Sequence, residues 1–130
     1  MKQNLMLTIT SLLLILLLTL HLADDIVRGY EKGGLSNLIV VPIVVVWLFG
    51  ALVLTGRRSG YIIILVASLL TLGVPVVHMM GKGVGLANRI AHSSGAFFFV
   101  WTLLAISVTA LFSVALSARG LWNLPWRRSR

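Results

Sequence analysis

The 130-residue chain contains no cysteine. That absence excludes disulfides, thiolate metal sites, haem attachment through Cys-x-x-Cys-His and thiol redox chemistry together. Charge is nearly as scarce. Asp and Glu total three, and charged residues make up 11% of the chain, against about 25% in a soluble domain. Water is therefore not the solvent for most of this surface. Long polar connectors are missing as well, which leaves no room for a separate soluble domain.

What fills the chain is apolar: 58% of it is hydrophobic, with a mean hydropathy of +1.02. Four runs, about 5–25, 37–55, 60–80 and 94–118, approach or reach the roughly 20 residues that carry a helix across a ~30 Å hydrocarbon core. None has Lys, Arg, Asp or Glu at its middle. The pattern predicts an all-α polytopic membrane protein, a single integral membrane domain over residues 1–130. It should fold as an up-down-up-down four-transmembrane-helix bundle with a basic, aromatic tail over 119–130. The first run follows Lys2 but is longer than the roughly 7–15-residue core of a secretory signal, and no A-x-A-like site follows it. It is expected to be a retained first helix.

Alternating helices place Lys2, Arg57, Arg58, Arg119, Arg127, Arg128 and Arg130 on one side. Arg28, Lys32, Lys82 and Arg89 fall on the other, offset by Asp24, Asp25 and Glu31. Because cytoplasmic loops carry the excess of Lys and Arg, the expected setting is the cell (inner) membrane with both termini cytoplasmic. Arg57, Arg58, Trp122, Trp126, Arg127 and Arg128 are expected to anchor the bundle at the lipid head groups. The net charge of +8 then reflects topology and membrane lipids, not nucleic acid.

Helices in lipid associate through small residues and interhelical hydrogen bonds. Ala105, Thr109, Ser113 and Ser117 recur every four residues, and Ala67, Ser68 and Thr71, Gly50 and Ala51, and Thr8 and Ser11 supply matching positions on the other runs. Pro42 and Pro75 each remove a backbone donor inside a run. They are either tolerated kinks or a splay toward the outward end. No polar stripe crosses the full thickness, which argues against a pore. No ionisable group lies at mid-depth, which argues against proton-coupled transport. Trp47 reads as a packing residue.

Chemistry is confined to the outward end. His21, Asp24, Asp25 and Arg28 stand at i, i+3, i+4 and i+7, on one stripe of a helix. His78 ends the third run at a similar depth, and His92 precedes the fourth. His21, His78, His92, Asp24 and Asp25 are the candidate metal ligands. The residue types fit a divalent transition metal, a haem b clamped by two level histidines, or a His–Asp proton acceptor in a small membrane enzyme. They fit equally a capping role with surface ion pairs such as Asp25–Arg28. H-E-x-x-H, H-x-x-x-H and serine-nucleophile motifs are absent, and the string Gly81, Gly83, Gly85 lacks the strand that a phosphate loop requires. Two functions follow. One is an accessory or assembly subunit of a larger membrane complex, pairing with itself or with other membrane-protein subunits. The other is a metal- or haem-binding membrane protein, or a small membrane enzyme.

Overall fold

The computed structural model describes residues 2–80 and 94–124, all of its regular structure helical. Helix α1 spans Lys2–Val27, α2 Val40–Leu52 after a 3₁₀ segment at Leu35–Ile39, α3 Arg58–Met80 and α4 Ala96–Asn123. Each helix, with the 3₁₀ segment counted into the second, is long and apolar enough to cross a membrane. The chain is a multi-pass membrane protein with an up-down-up-down four-helix bundle.

The helix ends are set by local chemistry. Gly29 adopts φ 72°, the left-handed conformation that glycine adopts without steric cost. Its N–H donates to the Ile26 carbonyl at 3.0 Å, and the Tyr30 N–H donates to the Asp25 carbonyl at 2.8 Å. This pair of bonds closes α1 within five residues of Asp25. Pro42 lies in the first turn of α2, where an intrahelical donor is not needed, so the second span starts as 3₁₀ and continues as α. Thr55 lies beyond α2 and its hydroxyl donates to the Ala51 carbonyl at 2.7 Å. The second span therefore ends at Leu52, three residues short of the expected 55.

One other boundary also differs from expectation. Helix α4 runs to Asn123, so residues 119–123 are helical and the tail is shorter than the expected 119–130. The reason is packing: Gly120 is buried against the Tyr61 ring, whose hydroxyl donates to Asn4 Oδ1 at 2.5 Å. Arg57, Arg58 and Trp122 are exposed at this same end of the bundle, while Trp126, Arg127 and Arg128 lie outside the described residues.

Helix α4 packs most extensively on α3 and next on α1, and α2 packs on α3 and α1. Among the described residues α2 and α4 do not touch, and α1 and α3 touch least of the neighbouring pairs. The core runs through Leu14, Trp47, Ile64, Ile106 and Ala110. The small-residue seam is internal in its second half, Ala105 and Thr109 being only half-buried. Ser113 and Ser117 are buried, and Ser68 donates to Ser113 at 2.8 Å between α3 and α4. Hydrogen bonds between membrane helices contribute about 0.6 kcal/mol on average. A Ser68→Ala, Ser113→Ala double-mutant cycle is therefore expected to give a coupling of about 0.5–1.5 kcal/mol in detergent unfolding; strictly additive effects would contradict the assigned bond.

Candidate metal centre

At the end of the bundle away from Lys2 and Asn123, α1 contributes His21 and Asp25. Four residues apart on a helix, these side chains share a face. Helix α3 contributes His78, three residues after Pro75. Their side chains meet across the diagonal where α1 and α3 otherwise touch little. His21 Nε2 and His78 Nε2 are 2.8 Å apart. Asp25 Oδ2 lies 3.4 Å from the first and 3.5 Å from the second. All three residues are buried, at 3%, 7% and 5% exposure.

Phe99 of α4 closes one side of this cluster. Fully buried, its ring centroid is 5.3 Å from each imidazole, and the two imidazoles meet edge-on at 88°. The Tyr30 ring touches Phe99 at 6.2 Å, and the Arg28 guanidinium stands 5.7 Å over it. Arg28 also ties the helix ends together. Its Nε donates to Asp24 Oδ2 at 2.7 Å, and its terminal nitrogens donate to the Ser94 and Gly95 carbonyls at 3.3 and 3.0 Å. Gly95, at φ 78°, admits this approach, because a Cβ there would stand 2.8 Å from the guanidinium.

The two aspartates therefore separate. Asp25 joins the histidines, whereas Asp24 binds Arg28 and stands outside the cluster. The ion pair expected between Asp25 and Arg28 is formed by Asp24 instead, because Arg28 is drawn toward the start of α4. His92 lies outside the described residues. Sequence reasoning missed Phe99: it is one of three consecutive phenylalanines, and only the docking of α4 decides which of them faces the imidazoles.

The triangle of donors has a definite chemical capacity. Its edges of 2.8, 3.4 and 3.5 Å imply a circle of radius ~1.9 Å through the three atoms, close to the usual ~2.0–2.1 Å ligand distance, so His21, His78 and Asp25 would together be able to hold one divalent cation. Haem fits poorly. Bis-histidine ligation holds the two nitrogens roughly 4 Å apart on opposite faces of the macrocycle, and 2.8 Å leaves no space for it. Without a cation, one imidazole N–H donates to the other, and Asp25 stays next to both. His21 Nδ1 and Asp25 Oδ1 are buried with no hydrogen-bond partner among the described residues. Such groups are costly in a medium without water.

The fold and cluster together define a four-helix membrane protein with a buried His–His–Asp group near one end. A scan of protein-family models found no match, and searches of curated proteins and of solved structures found none.

Proposed function

We propose that this protein binds a divalent first-row transition-metal ion through His21, His78 and Asp25, on the outward side of the inner membrane. The observation that carries this reading is the convergence of three buried donor atoms within 3.5 Å of one another. A carboxylate buried beside two imidazoles is costly by several kcal/mol, and a divalent cation offsets that cost directly. Two nitrogens and one oxygen suit Zn²⁺, Fe²⁺, Mn²⁺ or Cu²⁺. The absence of thiolate disfavours Cu(I), and Ca²⁺ and Mg²⁺ prefer all-oxygen shells. Three protein ligands leave a coordination position for water or substrate.

The rival reading is an accessory subunit whose cluster merely pins α1 to α3. The hydrogen bond of Ser113 to α3 and the burial of Ser117 use inside the bundle the seam that favoured outside partners. A metal-holding protein can still serve a larger complex, and the two roles separate by composition. Protein purified in mild detergent is expected to carry about one equivalent of transition metal per chain, or to take up one equivalent of Zn²⁺ after chelation. A chain that binds no metal at micromolar Zn²⁺ would contradict the proposal.

The orientation rests on the basic asymmetry and has its own test. A fluorescent-protein fusion at the C-terminus is expected to be bright, and an alkaline phosphatase fusion there inactive. The reverse pair of results would place the centre on the cytoplasmic side.

A further inference from the structure

The end of the bundle opposite the metal centre carries cations without acids. Lys2, Arg57 and Arg119 are exposed there, whereas the three carboxylate side chains of the chain, Asp24, Asp25 and Glu31, all lie at the other end. Any counter-charge for these cations must come from outside the chain's own side chains. Helix α1 has 26 residues, about 39 Å at ~1.5 Å per residue, and so exceeds a ~30 Å hydrocarbon core. Its ends therefore reach the lipid head groups.

An open cavity of about 540 Å³ lies against the first turns of α1, lined by Lys2, Asn4, Leu5, Thr8 and Thr55. It occupies the notch between the start of α1 and the turn that joins α2 to α3. The donors available to an occupant can be counted. The Thr8 and Thr55 hydroxyls both donate to the Ala51 carbonyl, at 3.1 and 2.7 Å, so their protons are used. Asn4 Oδ1 accepts from the Tyr61 hydroxyl. The Asn4 amide nitrogen, beside Gly56, has no acceptor among the described residues. Lys2 brings a charged ammonium and no acceptor. What remains is a pair of donors, one of them cationic, which suits an anionic oxygen such as that of a phosphate.

The same cavity has an apolar exit. Leu5 lines it and begins a stripe of exposed side chains, Leu5, Ile9, Leu12 and Leu16, that runs along one face of α1 toward the middle of the bilayer. We propose that this notch binds one anionic phospholipid, its phosphate between Lys2 and the Asn4 amide and an acyl chain along the Leu5–Ile9–Leu12–Leu16 stripe. A free anion makes no use of the stripe. A second copy set alongside at the same depth would bring its own Lys2 and Arg57 against like charges. The site lies at the other end of α1 from the metal centre and needs no metal.

The test uses full-length protein stripped of lipid in mild detergent. It is titrated separately with dioleoyl phosphatidylglycerol and dioleoyl phosphatidylcholine, and native mass spectrometry counts the lipid retained. About one phosphatidylglycerol per chain is expected, held about tenfold more tightly than phosphatidylcholine. Three variants that each lower the net charge by one separate the notch from diffuse attraction. K2Q and N4D are expected to weaken phosphatidylglycerol binding about fivefold or more. N4D keeps an acceptor for Tyr61 and replaces the N–H donors with anionic oxygen. R119Q removes charge from outside the cavity and is expected to weaken binding by less than about twofold. H21A, at the metal centre, should leave it unchanged.

K2Q alters an exposed side chain, so its result stands should N4D fold poorly. Equal retention of the two lipids would show bulk lipid only and overturn the site. Equal losses in K2Q and R119Q would show diffuse charge attraction and overturn it as well. Displacement of phosphatidylglycerol by millimolar inorganic phosphate would assign the notch to a free anion. A two-chain species of the unaltered protein that retains no lipid would assign it to a second copy. Either of these results would overturn the phospholipid proposal.

Discussion

Replacing His21 with alanine is expected to lower Zn²⁺ affinity by more than about 100-fold, beyond the 10–100-fold typical for groups that merely orient a ligand. His21 supplies one corner of the donor triangle, 2.8 Å from His78 Nε2 and 3.4 Å from Asp25 Oδ2. No other described side chain joins those two in a group able to hold a metal ion. His78→Ala should behave alike. Asp24→Asn is the control, because Asp24 adjoins the cluster in sequence but binds Arg28; less than about a tenfold change is expected there. Thermal unfolding gives a second readout. At a free Zn²⁺ level 100 times its dissociation constant the native protein gains about 2.7 kcal/mol, and the His21→Ala variant should gain almost none. Equal zinc-induced shifts in both proteins would remove His21 from the site.

The largest effect on stability is expected at Gly60, near the start of α3. A Cβ there would collide with the Leu54 carbonyl and stand 3.0 Å from the Gly50 carbonyl oxygen. Both obstacles are backbone, which cannot rotate away as a side chain can. Gly60→Ala should therefore cost about 2–4 kcal/mol by separating α2 from α3. Gly73→Ala provides the contrast. Gly73 is also inside α3, but nothing lies within 4 Å of its added carbon. Alanine is the better helix former by about 1 kcal/mol, so that change should be neutral or stabilising. Unfolding of the two variants side by side decides this; equal destabilisation would show that α2 and α3 are not packed as described.

The architecture was legible because lipid imposes it. Four apolar runs of spanning length have few other solutions, and the bundle follows. The approach of His21 to His78 was legible for a related reason: both residues lie near the same end of their spans, on parallel helices. The choice between Asp24 and Asp25 was not. They sit three and four residues from His21, and both positions neighbour it on the helix surface. What separates them is tertiary, since the carbonyls of Ser94 and Gly95 pull Arg28, and with it Asp24, toward α4. Phe99 was hidden within the run Phe97–Phe98–Phe99, where the one polar neighbour on its face, Thr102, is a weak marker of the inward side. The longer α4 came from Gly120 fitting beneath Tyr61, a contact between residues 59 positions apart.

X-ray absorption at the zinc edge tests the central claim most directly. For the detergent-purified protein reloaded with one equivalent of Zn²⁺, the account predicts light-atom ligands at ~2.0–2.1 Å. It also predicts the outer-shell scattering of two imidazole rings, with one ring's contribution lost in His21→Ala. A zinc shell of oxygens alone, with no imidazole scattering in the native protein, would contradict it.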